Sequence, residues 1–307
     1  VRRNPSTNMA PTPNCGMRES KGSVGIVGLG LIGGSLGLDL RALGWSVQGL
    51  VHRTATAERA LERGLVDAVS TDPLCLSACD LVILALPIPA LLAPDPTLLK
   101  AIPRSAVVTD VGSVKQPVQE VWRSLHPRFV PSHPMAGTAS AGVEAGQVGL
   151  FQGRPWIATP EDGTDPTAVE VVQKLAQELR SQWYTASAAQ HDQAVALISH
   201  MPVLVSAALL RAAGDERDPE IRRLAQCLAS SGFADSTRIG GGNPDLGVAM
   251  ASSNSAAVLK ALAAYRWSLE QLEDAVLRNN WQQLHLELQR TQELRPDYLE
   301  VSPSDAV

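Results

Sequence analysis

A short β-prone run, with Val24, Ile26 and Val27 as its apolar residues, leads straight into Gly28-x-Gly30-x-x-Gly33. Leu31 to Leu43 then carries apolar residues at helical rather than alternating spacing. Strand, tight turn and helix in that order leave few folds open. Gly28 permits the turn, Gly30 lets backbone approach a pyrophosphate, and Gly33 lets the helix pack on its strand, while N–H groups at the helix start receive negative charge. The chemistry is that of a dinucleotide site, with Gly28, Leu29, Gly30, Leu31, Ile32 and Gly33 as its first contacts. A glycine-rich turn that binds nothing is the bland alternative, and the flanking strand and helix argue against it.

The chain of 307 residues is long enough for two domains. Its formal net charge of -5, with basic residues scattered rather than clustered, excludes a nucleic-acid face and a polybasic membrane anchor. Cys15, Cys75, Cys79 and Cys227 show no zinc-like pairing, so no metal site is expected and the thiols read as reduced and cytoplasmic. Residues 1–22 hold several prolines and no apolar h-region, which predicts a disordered tail rather than a signal peptide. Ala194 to Leu210 is the most apolar run, but Ser199-His200-Met201-Pro202 interrupts it. A core or subunit-interface helix is expected there, not a membrane span.

Along the chain, Ser46 to Val51 reads as the second strand, followed by His52-Arg53-Thr54. An NAD site carries an acid near this strand end, about 20 residues beyond the glycines, to accept from the ribose 2′-OH. Here His52, Arg53 and Thr54 stand instead, and a 2′-phosphate suits them, so the expected cofactor is NADP. Leu61 to Val69 closes a helix and a short strand. Asp80 to Leu86 is a continuous apolar run, as a parallel strand covered on both faces requires, and Pro87 stops it. Ala106 to Asp110 and Phe129 to Pro131 are further strands, leading into Ser113 and His133, and Trp156 to Thr159 and Gln182 to Thr185 are the last. Ligands of an open, mostly parallel α/β sheet of Rossmann type bind at the carboxyl ends of its strands, so Leu86, Pro87, Ser113 and His133 are expected to converge there. Ser113 also suits the cap of a helix over Val114 to Leu125. Beyond Ser187 the strand signals cease, and helical spacing runs through Ala188 to Ala213, Pro219 to Ser231, Ser255 to Arg278 and Asn280 to Leu294, with an irregular Gly232 to Asn254 stretch between. The expected organisation is a dinucleotide-binding domain over 23–187, an all-helical domain over 188–296 that dimerises, and a tail over 297–307.

Six pieces then occur in order: Gly28 to Ser35, Asp110 to Lys115, Ser132-His133-Pro134-Met135-Ala136-Gly137-Thr138, His191-Asp192, Ser199-His200-Met201-Pro202, and Thr237-Arg238. On these the chain resembles the prephenate/arogenate dehydrogenase family, and within it the cyanobacterial, arogenate-preferring branch. The resemblance implies that His133 is catalytic, that Ser113 hydrogen-bonds near it, and that Arg238 holds a substrate carboxylate. Gly137 and Thr138 are grouped with the substrate, His200 is either a core histidine of its apolar helix or a further substrate contact, and His191 and Asp192 are left without a role. These residue types suit an alcohol that gives up hydride and then carbon dioxide to become a phenol: imidazole takes a proton near neutrality, and a guanidinium fork matches a carboxylate. Some prephenate-using relatives carry a histidine after the proline of the Ser-His-x-Pro piece, where this chain has Val203. Arogenate is therefore the expected substrate and prephenate the alternative. A non-catalytic NADP-sensing protein is the alternative of another class, opposed by His133, Ser113 and Arg238. Neither a fused chorismate mutase nor a C-terminal amino-acid-sensing domain is expected.

Overall fold

The computed structural model describes residues 21–138 and 140–299. Strand β1 (Ser23–Val27), helix α1 (Leu31–Ala42), β2 (Ser46–Leu50), α2 (Thr54–Glu62), β3 (Ala68–Ser70) and β4 (Leu81–Leu84) open the chain. After them come α3 (Ile88–Leu92), α4 (Pro96–Ala101), β5 (Val107–Asp110), α5 (Gln116–Trp122) and β6 (Phe129–Val130). The six strands form one parallel sheet in the order β3-β2-β1-β4-β5-β6, the doubly wound order of a dinucleotide-binding fold. Strand alternation explains the run of apolar residues. Val24, Ile26, Leu81 and Ile83 enter the core under α1, whereas Val27, Val82, Leu84 and Val108 enter the core holding Val118 and Trp122.

The remaining strands do not extend this sheet. β7 (Ser132–Pro134), β8 (Pro155–Ala158) and β9 (Gln182–Thr185) make a separate three-stranded sheet, antiparallel between β7 and β8 and parallel between β8 and β9. Pro131 between β6 and β7 has no N–H for a ladder, and the Ser132 N–H is taken by the Asp110 carboxylate at 3.1 Å. The small sheet packs through Trp156 and Ala158 on the core under α1, together with α6 (Pro166–Glu178).

Only helices follow: α7 (Ala188–Val195), a π-helical turn (Ala196–His200), α8 (Met201–Gly214), α9 (Pro219–Leu228), α10 (Ser231–Thr237), α11 (Pro244–Ser253), α12 (Ser255–Leu277) and α13 (Trp281–Leu299). The expected irregular stretch from Gly232 to Asn254 is largely α10 and α11. Asn243-Pro244, which reads as a break, is a helix start: the Asn243 side chain accepts from Asp245 N, and Pro244 occupies the first turn. The expected C-terminal tail begins too early at 297, since α13 continues through Pro296 to Leu299. The rest of that tail, and the N-terminal tail up to residue 20, lie outside the described residues.

From Ala188 to Gly214 the chain is one helical rod long and apolar enough to cross a bilayer by length and composition, and 22% of its most apolar window is buried. The helical half leaves other large apolar side chains bare, among them Trp267 at 63% and Leu277 at 78% exposure.

Candidate active site

The turn after β1 is built as its glycines demand. Gly28 has φ +93°, and a Cβ there would sit 2.4 Å from the Ala85 carbonyl oxygen; one on Gly33 would sit 1.9 Å from the Gly28 carbonyl oxygen. Gly30 differs, because a Cβ there would meet nothing within 4 Å. Backbone approach, not internal packing, is what its missing side chain serves. Beside it lies a cavity of about 480 Å³ lined by Gly28, Leu29, Gly30, His52, Arg53 and Leu86, among others. Leu31, Ile32, Thr54 and Pro87 do not line it; Thr56, two positions after Thr54, does.

Arg53 stands at the start of α2 with an exposed guanidinium that has no ion pair or hydrogen bond among the described residues. Asp95 is the acid on this lining, and its carboxylate is engaged in capping α4 through Thr97 N at 2.7 Å and Thr97 Oγ1 at 2.6 Å. The glycine turn would hold a pyrophosphate, and His52 and Arg53 line the same cavity. The residues present fit a dinucleotide.

The second cluster gathers where β5 and β7 end. Lys115 and Asp110, both fully buried, form an ion pair; Lys115 Nζ also donates to the Ser132 carbonyl at 2.7 Å, and Asp110 accepts from Gly112 N at 2.8 Å. Burial pulls the Lys115 pKa down and the Asp110 charge pushes it back up. These bonds pin the Ser113 loop against β7. His133, on β7, is half-buried. Its Nδ1 lies 3.0 Å from Nε2 of His191, and His191 Nδ1 lies 2.7 Å from Asp192 Oδ1. Desolvation first, then the proximity of His191, Lys115 and His200, holds the His133 pKa well below its ordinary value, so the ring is a neutral acceptor at neutral pH.

Two expectations for this cluster need correction. The residue that holds the His133 ring is His191, and the Ser113 hydroxyl makes no hydrogen bond among the described residues. Nor does Ser113 cap the following helix, which starts at Gln116 rather than Val114. Its N-cap is Lys115, and its first N–H groups are satisfied from another element: Asp192 accepts from Lys115 N at 2.7 Å and Gln116 N at 2.9 Å. The Ser113 main chain does lie beside His200. His200 is buried on the π turn that precedes Pro202. Its Nδ1 is 3.3 Å from the Asn254 amide, and its Nε2 is buried with no partner among the described residues. π turns recur where a helix must present a side chain out of its regular face. His133 and His200 lie close enough to influence each other, the Ser113 main chain lies beside His200, and Asp110, Lys115, Ser132, His191 and Asp192 surround them. Gly137 and Thr138 follow β7 on an exposed loop.

Arg238 makes no hydrogen bond or ion pair with this cluster among the described residues. It is exposed at the end of α10, which is fastened to α8 through Ser206: its hydroxyl donates to the Ser236 carbonyl and accepts from Gly240 N, both at 2.9 Å. The described cysteines, Cys75, Cys79 and Cys227, are free, and among the described residues no group of three His, Cys, Asp or Glu could hold a metal.

Comparison with known proteins agrees with this geometry. Residues 36–185 match the family profile described as prephenate dehydrogenase, nucleotide-binding domain, and residues 187–290 the one described as prephenate dehydrogenase, dimerization domain. A prephenate dehydrogenase of Bacillus subtilis is 32% identical over 74% of this chain, a match that spans 63% of the Bacillus protein. Among solved structures, Synechocystis arogenate dehydrogenase is 42% identical with a TM-score of 0.75, covering 90% of this chain and 99% of that one. Prephenate dehydrogenase from Aquifex aeolicus, solved with hydroxyphenyl propionate and NAD+, is 28% identical with a TM-score of 0.84, covering 91% of this chain and 99% of that one. Two profiles that match in order and relatives that cover most of the chain agree, and the chain belongs to the prephenate dehydrogenase family.

Proposed function

We propose that this protein is a cytoplasmic, homodimeric NADP-dependent arogenate dehydrogenase that makes tyrosine. The observation that carries the reading is His133, held as a neutral acceptor beside Ser113 and His200 at the strand ends. A dinucleotide held by the glycine turn, His52 and Arg53 would supply the acceptor for the hydride on the ring carbon that bears the substrate hydroxyl. His133 takes the hydroxyl proton as that carbon becomes a carbonyl. The electrons of the bond to the ring carboxylate move into the ring as carbon dioxide leaves, and the proton returns to oxygen to give the phenol. A base so placed contributes roughly 10²–10⁴-fold. Ser113 and the unpartnered Nε2 of His200 are further hydrogen-bonding groups for the substrate, and Gly137 and Thr138 border it. Arg238 binds a substrate carboxylate.

For the cofactor, the free Arg53 guanidinium supports NADP, since no acid at the end of β2 awaits a bare ribose hydroxyl. For the substrate, Val203 and the likeness to an arogenate dehydrogenase support arogenate over prephenate. The bare apolar faces of the helical half support a dimer that covers them. Initial rates for both substrates, each with NADP+ and with NAD+, test the proposal: arogenate with NADP+ is expected to be fastest. A faster rate with prephenate would assign the alternative substrate, and no rate in any of the four mixtures would leave only a dinucleotide-binding protein.

A further inference from the structure

His191 and Asp192 sit on α7, in the helical half, yet their polar atoms face the other half of the chain. Asp192 is nearly buried, and both its oxygens are committed as acceptors by backbone N–H groups that can only donate: Lys115 N at 2.7 Å on Oδ1 and Gln116 N at 2.9 Å on Oδ2. Oδ1 is also 2.7 Å from His191 Nδ1, so the proton of that contact belongs to the imidazole. The tautomer selected in this way leaves Nε2 of His191 bare. That atom is 3.0 Å from His133 Nδ1, which must then be the donor, and the lone pair of His133 falls on Nε2, the nitrogen directed away from His191.

Resting on the dehydrogenase chemistry read above for His133, we propose that His191 and Asp192 are positioning residues that fix the tautomer of the base: Asp192 sets His191, and His191 sets His133. An imidazole free to choose spends part of its time with the proton on Nε2, where it cannot accept. The pair of α7 residues removes that choice and also fixes the ring plane. Asp192 performs this while capping α5, so the same carboxylate holds the strand-end loop and orients the base. His191 is 1% exposed, which leaves the ring no solvent to trade partners with.

A direct readout is the ¹⁵N spectrum of histidine-labelled protein, whose ring shifts report the tautomer without substrate or cofactor. His133 and His191 are assigned by the signals lost in His133→Gln and His191→Gln. Both rings are expected to carry their proton on Nδ1. His133 protonated on Nε2, or His191 protonated on both nitrogens, overturns the proposal. Kinetics then separate positioning from packing. His191→Leu keeps bulk but offers no acceptor, so kcat is expected to fall by up to the roughly 10²–10⁴-fold that a placed base is worth, with KM little changed. His191→Gln presents an amide oxygen to His133 Nδ1 and is expected to restore most of the rate. Unchanged kcat in His191→Leu, or equal loss in both variants with native circular dichroism, contradicts it. Should the wild type turn over neither arogenate nor prephenate, the functional reading fails while the tautomer result still decides this inference.

Discussion

His133 owes its lowered pKa to burial and to its neighbours. Desolvation and the nearby His191, Lys115 and His200 lower its pKa, so the acid limb of kcat/KM is expected below pH 6.5, and a limb at or above 6.5 in a pH profile would reassign the base. Arg53→Ala is expected to cost NADP+ about 1.5–3 kcal/mol, roughly ten- to more than a hundredfold in kcat/KM, while NAD+ turnover stays level; equal losses with both cofactors would make Arg53 an ordinary surface charge. His133, Ser113 and Arg53 were legible as candidates because each follows a strand end, and His200 because it stands in the Ser199-His200-Met201-Pro202 piece that resembles the family. The partners were not. His191 is 58 positions from His133, and Asp192 is 77 from Lys115, so their pairing exists only once α7 docks on the sheet. Buried Lys115 is illegible for the same reason, since it is admissible in a core only with Asp110 opposite it.

At the scale of elements, periodicity located most strands and the longer helices but not the short α3, α4, α10 and α11, because strands buried on both faces and long amphipathic helices leave a clear period. It failed where the deciding bond was not local. The sheet ends at β6 because Asp110 takes the Ser132 N–H and Pro131 has none to give, and α5 starts at Gln116 because Asp192 caps it from afar. That cap has a measurable consequence: Asp192→Ala is expected to destabilise the protein by about 1 kcal/mol in urea melts through loss of the α5 start, in addition to any kinetic effect, and an unchanged midpoint would contradict the capping role. Gly33→Ala places a methyl group 1.9 Å from the Gly28 carbonyl oxygen. The first turn must move, so weaker binding of both cofactors is expected by titration, with no change in the preference between them. Loss of preference there would move discrimination away from Arg53.

For the whole molecule, the apolar surface of the helical half decides the assembly. Trp267, Leu277 and the weakly buried rod from Ala188 to Gly214 are too apolar to face water alone, so light scattering is expected to give a dimer at micromolar concentration, and a fully active monomer would contradict it. Three half-buried or buried histidines, His126, His133 and His200, all have pKa values lowered from 6.5, with desolvation the largest cause. The unfolded chain therefore binds more protons than the folded one just below pH 6.5. The stability they contribute is complete above that value and is lost as pH falls towards their folded pKa values. The two-half organisation was visible in the change of period near Ser187, whereas an apolar run alone does not say what covers the helical faces. The central expectation is that His133 acts as the base of an oxidative decarboxylation. It is tested by counting products from arogenate and NADP+ in wild type and in His133→Ala, with NADP+ binding measured alongside. The wild type is expected to yield tyrosine, carbon dioxide and reduced cofactor in equal amounts, and the variant to bind NADP+ normally while kcat drops about 10²–10⁴-fold. Unequal products in the wild type, or near-normal kcat in the variant, would contradict it.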